Sequence, residues 1–185
     1  MDTQPDAVVE KAYELIDGYN PADPNSDQGG VEQDVLTYCT STGMPMADGS
    51  TDKLLGFIEI DPGNAIDVDW AINDCLGVYT GFNVPAFLEQ LEAPGSVWDV
   101  DPSGDNSIVA GHCVYVAGHL PNGNRRPISW GSFDYEITPP FWLQEFDEVY
   151  ALWSTELLRV KTGQTILGMT IPQLQAALQD LTGSG

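Results

Sequence analysis

The chain has 185 residues, 28 of them acidic and 6 basic, for a formal net charge of -22 at neutral pH. Its cations are Lys11, Lys53, Arg125, Arg126, Arg159 and Lys161. That set excludes a nucleic-acid surface and attachment to an anionic membrane, since both need clustered positive charge. Hydrophobic residues make up 42% and aromatics 10% against 18% charged, a composition that buries a core and excludes a disordered acidic tail.

In chain order, Val8, Val9, Ala12, Leu15 and Ile16 share one helical face, which predicts a helix over 5–16 with Gly18 as its stop. A turn-rich loop, 20–30, follows. A second helix is expected over 31–41, burying Val31, Val35, Leu36 and Cys39. Residues 55–60 read as a strand, 64–74 as a helix with Ile66, Trp70 and Ala71 on one side, and 76–84 as a buried strand with glycine interruptions. The run 92–107, rich in Pro, Gly and Asp, is loop. Residues 108–118 form the strongest strand candidate, and 126–130 with 133–137 predict a hairpin around Gly131. A short helix over 139–148 opens on prolines, which suit a first turn. Thr170 caps a last amphipathic helix, 170–181, carrying Ile171, Leu174, Ala177, Leu178 and Leu181. Helices come first and strands later, so the class is α+β. The chain divides into one domain, 1–160, and a linker with a C-terminal helix, 161–185.

Cys39, Cys75 and Cys113 are odd in number and lack C-x-x-C spacing, so free buried thiols are expected. The N-terminal residues lack the pattern of a signal peptide. No run approaches the roughly 18 apolar residues of a membrane span. A cytoplasmic protein is therefore expected.

His112 sits in the small-residue entry to the strand 108–118, where it reads either as a core histidine or as a general base presented at a strand start. Alternation puts Cys113 on the opposite face, so these neighbours form no nucleophile–base pair. His119 is a rim residue near the turn at Leu120.

Gly111-His112 opening a strand, followed after a turn by Ser129-Trp130-Gly131, resembles the papain-like cysteine peptidases. Upstream, Asp27-Gln28-Gly29-Gly30 before a helix resembles the family's Gln-Gly turn. The resemblance implies an α+β fold with an N-terminal helical half packed on a small antiparallel sheet or barrel half. It implies His112 as the base, Gln28 as the oxyanion-hole glutamine and Trp130 as the shield of an orienting residue. The departures bear on activity. Six residues after Gln28, where the family has its cysteine, stands Asp34, and the orienting asparagine is replaced by Ile128. A carboxylate is a poor nucleophile toward an amide, and an isoleucine cannot fix an imidazole tautomer. Cys39, five residues beyond Asp34, lies on a different helical face and is a poor substitute.

The resemblance brings Gln28, Asp34 and His112 to one cleft, as a structural clasp between the two halves or as an acid/base dyad. Asp23, Asn25 and Asp27, like Asp101, Ser103 and Asp105, place oxygen ligands at alternate residues as calcium loops do. Each run lacks the sixth-position glycine and is explained by turn chemistry, so no metal or other cofactor is expected. Core packing is the first reading of Trp142 and Trp153, within an aromatic cluster, and a partner-binding patch is the alternative. Leu174, Leu178 and Leu181 of the last helix dock either on their own domain or on a neighbour, which makes all five candidate interface residues. Relatives with this degraded pattern are, by resemblance, those of tailed bacteriophages. The expected function is a non-catalytic scaffold, a capsid or tail accessory component whose partners are other virion proteins or further copies of itself. The alternatives are a hydrolase of peptide or cell-wall amide bonds through His112 and Asp34, and a peptide-binding module that does not cleave.

Overall fold

The computed structural model describes residues 4–91, 93–154, 170, 172, 173 and 176. The linker at 161–169 and Leu174, Leu178 and Leu181 lie outside the described residues. Helix α1 (Asp6–Asp17) ends where Gly18 takes φ 74°, a left-handed conformation that glycine adopts without strain. Of its apolar residues Ala12 is buried, while Val9 and Leu15 remain exposed. A 3₁₀ turn (Pro24–Ser26) leads to helix α2 (Glu32–Ser41), whose Leu36 and Cys39 are buried but whose flanking Val31 is not.

Strands β1 (Met44–Pro45) and β2 (Thr51–Asp52) form a small hairpin. Strand β3 (Leu54–Glu59) precedes helix α3 (Ala65–Asp74), where Asn64 caps the helix by accepting a hydrogen bond from the Asp67 amide. Strand β4 (Val78–Pro85), a 3₁₀ stretch (Ala86–Leu91) and β5 (Val97–Trp98) follow. The long β6 (Ile108–His119) turns into β7 (Arg125–Ile128) and β8 (Glu136–Ile137). Helix α4 (Pro139–Glu145), capped by Thr138, runs straight into β9 (Phe146–Ser154).

Among the described residues seven strands form one sheet, in the order β3-β9-β4-β6-β7-β8-β5. Strands β5 and β8 pair in parallel and the other neighbours antiparallel, so the fold is α+β with a mixed sheet. Helices and strands alternate, contrary to the expected order of helices before strands. The helix expected over 139–148 stops at Glu145, and β9 takes a place between β3 and β4. Val149, Tyr150 and Ala151 are all buried. A strand covered on both faces carries a nearly continuous apolar run, which periodicity alone does not separate from a helix.

One sheet face holds the main core. Val78 and Phe82 of β4, Val114 and Val116 of β6, and Val149 and Ala151 of β9 pack there with residues of α3, α4 and the 3₁₀ stretch. Trp142 (0% exposed) and Trp153 (7%) belong to this core, the first of the two readings of the aromatic cluster, and not to an exposed patch. The opposite face carries Tyr79 and Tyr115, cross-strand partners, and faces α2 near its N-terminus. All three cysteines are free thiols; Cys39 and Cys75 are buried and Cys113 is half-buried. Among the described residues no helix is long and apolar enough to cross a membrane.

Candidate functional site

The chemistry-bearing residues gather where β4 and β6 cross the end of α2. His112 is the cross-strand partner of Phe82, so its imidazole follows Phe82 to the core face and meets that ring edge-on at 5.6 Å. Trp130 stacks on the imidazole, with centroids 4.9 Å apart and planes at 15°. His112 Nε2 lies 3.0 Å from Ser129 Oγ. These contacts depend on a two-residue turn. Ser129 and Ser132 exchange both backbone hydrogen bonds, at 3.1 and 2.9 Å, around Trp130 (φ 46°) and Gly131 (φ 72°). Positive φ at both central residues matches the twist of antiparallel strands, but tryptophan is a costly residue for the first position. The strain holds a ring that is 57% exposed over the histidine.

The other face of the same strands floors a cleft of about 520 Å³, walled by Gln28–Gly30, Glu32, Asp147 and Glu148. Tyr13 of α1 sets the wall: its hydroxyl donates to Asp27 Oδ1 (2.7 Å) and accepts from the Gly29 amide (3.0 Å). Glu32, the first residue of α2, reaches Gly81, where a Cβ would stand 2.7 Å from Glu32 Oε1. Gly81 precedes Phe82 in the strand, so the Glu32 carboxylate and the His112 imidazole lie on opposite faces of the sheet. Asn83 Nδ2 donates to Asp147 Oδ2 (3.1 Å), and the Tyr150 hydroxyl to Glu148 Oε2 (2.8 Å). Burial, and after it Glu148 and Asp147, hold the Glu32 carboxyl above the usual carboxylate range. Burial pushes the Cys113 thiol up to about 12. A thiol with that value supplies no thiolate at neutral pH.

A carboxyl raised on folding stabilises below its unfolded pKa, and that stabilisation is lost as pH rises through the folded value. Glu32→Gln, which keeps the shape without the charge, is therefore expected to be more stable than the parent at neutral pH. Urea unfolding should show that advantage shrinking as pH is lowered through the carboxylate range; an advantage constant with pH would remove the electrostatic cause.

Gln28 and His112 both border the cleft. The Gln28 side-chain amide donates to the Asn25 carbonyl at 2.7 Å, so this hydrogen bond ties it back to its own loop. Asp34 is exposed and is not among the residues lining the cleft. Its charge acts on Asp17 of α1, whose carboxyl is raised first by burial and then by Asp34. The expected meeting of Asp34 with His112 is thereby corrected: Glu32, earlier on α2, is the acid that reaches the sheet. Ile128 pairs with Tyr115 in the ladder, and the hydrogen bond to His112 comes from the next residue, Ser129. Cys39 is buried on α2.

The acids of the two loops close turns. Asp23 Oδ1 accepts from the Asn25 amide, Asp101 Oδ1 from the amide and hydroxyl of Ser103, and Asp105 Oδ1 from the Ser107 amide. Ser103 and Ser107 hold the Asp101 and Asp105 carboxyls below their ordinary value. Among the described residues no three His, Cys, Asp or Glu side chains are grouped to hold a metal ion. The sequence alone does not point to Glu32, Asp147 or Glu148 as site residues, nor to the hydrogen-bonding role of Ser129. The available signal for Ser129 was Gly131, which fixes the turn and so the residue facing His112. No protein-family model matches the chain, and no curated protein matches it in sequence.

Proposed function

We propose that the chain is a non-catalytic protein-interaction domain of papain-like character, working inside a larger assembly such as a bacteriophage virion. One observation carries the reading. The imidazole of His112 is held by Ser129 and covered by Trp130 on one face of the sheet, while the start of α2 presents Glu32, a carboxylate, on the other. Attack on an amide needs an activated nucleophile within reach of its base and open to the substrate carbon. Cys113 faces away from the imidazole and is held protonated. Ser129 is within reach but only 4% exposed. In place of that chemistry stand an open cleft and an exposed aromatic ring, features of protein recognition.

The test is turnover. Incubated with casein, peptidoglycan and a fluorophosphonate probe for activated serines, the protein is expected to release no product and take no label, and His112→Ala is expected to behave identically. Labelling that disappears in Ser129→Ala would sink the reading in favour of a serine hydrolase. Recovery of the protein in purified particles, against a strictly monomeric protein absent from them, tests the virion setting separately.

A further inference from the structure

Strand β6 is paired along both edges over only part of its length. With β4 its register runs from Ile108↔Pro85 to Val116↔Val78, but with β7 it begins only at Tyr115↔Ile128. Among the described residues, the β7-side edge of 108–114 therefore carries no strand. Its first residues are open to solvent, Ile108 by 52% and Val109 by 49%. An apolar edge with no strand beside it is a template for another extended chain.

The two faces beside this edge differ in chemistry. On the core face a groove of about 160 Å³ lies between Leu88 and Trp130, over Phe82 and Val84. On the other face lies the carboxylate cleft, its floor kept low by Gly81 and Gly111; a Cβ on Gly111 would meet nothing within 4 Å. An added strand sends alternate side chains to alternate faces. We propose that this edge takes an extended, basic segment of a partner protein as an additional strand. Its apolar residues enter the groove beside Trp130, and the lysines or arginines between them reach across Gly111 toward Glu32. The inference rests on the non-catalytic reading above and names the ligand class of that site.

Charge selects the occupant. A second copy at -22 repels the first, whereas a cation entering the cleft relieves the crowding of Glu32 by Glu148 and Asp147. The strained turn points the same way. It holds a tryptophan that packs by one side on His112 and stays mostly exposed, and such strain marks binding sites.

The probe is a short acetylated peptide amide that alternates valine and lysine, titrated onto the full chain with amide exchange followed by NMR. Exchange should slow across residues 108–114. A copy N-methylated along one edge and a copy with glutamate for lysine should each bind roughly tenfold more weakly or worse. Glu32→Gln should weaken the lysine peptide about threefold. Trp130→Gly, which suits the positive φ and keeps the turn, should weaken it about fivefold. Equal affinity of either altered peptide, protection elsewhere, no binding, or a stable dimer formed through this edge would each overturn the proposal. Mass spectrometry of the peptide keeps the two readings apart. A cleaved peptide sinks the non-catalytic reading and leaves strand addition to the exchange data; an intact, unbound peptide sinks strand addition alone.

Discussion

Trp142→Ala is expected to destabilise the fold by about 4 kcal/mol, the range found for emptying a large aromatic site. The ring is fully buried. It stacks on Phe146 at 4.2 Å and 13°, and its Nε1–H donates to the Pro62 carbonyl at 3.0 Å. The Arg125 guanidinium lies 4.2 Å from the ring centroid. Arg125 is itself buried and bonds Asp69 at 3.1 Å, while its Nε has no hydrogen-bond partner among the described residues. Burial lowers the Arg125 pKa, opposed by Asp69. Removing the indole therefore leaves a void and takes from a buried cation one of its few compensating contacts. Trp142→Phe keeps the stacking and loses the bond to Pro62, which should cost only about 1–2 kcal/mol. Urea unfolding of the two variants is the measurement. A loss under about 1 kcal/mol for the alanine variant would place the ring at a surface, because exposed sites rarely cost more.

Local signals in the sequence were strong enough to place most elements. Gly18 ends α1, Asn64 and Thr138 cap α3 and α4, and Gly131 sits in the hairpin turn. These motifs act within a few residues, and no tertiary contact overrides them here. The failures were long-range. The first residues of β9 were expected to end a helix, because the strand's burial on both faces is decided by β3 and β4, its neighbours in the sheet, which lie far earlier in the chain. Trp142 left both a core and an interface reading open for the same reason: a tryptophan's burial is set by what packs against it, and its partners Arg125 and Pro62 are distant in sequence.

The candidate site divides along the same line. The stacking of Trp130 on His112 follows from a turn that a glycine specifies, so the pair was visible as a motif. Which acid of α2 would reach the sheet was not. Counting from Gln28 led to Asp34, yet the helix starts at Glu32, and the glycine at position 81 leaves room for the Glu32 side chain to lie on the sheet. The face on which His112 points depends on the β4–β6 register, a pairing of residues some thirty apart that periodicity within β6 leaves open. The expected dyad of Asp34 with His112 is not assembled because Asp34 is exposed and does not line the cleft, while Glu32, which does, reaches the sheet on the face opposite the imidazole.

Gly77→Ala is expected to cost about 3 kcal/mol or more, because backbone strain and overpacking both oppose it. Leu76 (φ 66°) and Gly77 (φ 145°) carry the chain out of α3 and into β4. A Cβ at Gly77 would stand 2.6 Å from the Val116 carbonyl oxygen and 2.7 Å from the Tyr115 ring. The carbonyl is main chain, and Val116 is held in register with Val78, so neither can yield without moving β6. Gly123→Ala is the control. Gly123 also has positive φ, 88°, but a Cβ there would meet nothing within 4 Å, so it should show only the conformational cost, about 1 kcal/mol. Thermal unfolding of the pair separates the two causes. Since His112 lies on the same strand as Val116, the Gly77 variant should also perturb the amide and ring resonances of His112 and Trp130, while the Gly123 variant leaves them in place. Equal destabilisation by the two substitutions would show that the strand gives way, and the His112–Trp130 stack would then owe its position to the turn at Gly131 rather than to a fixed β6.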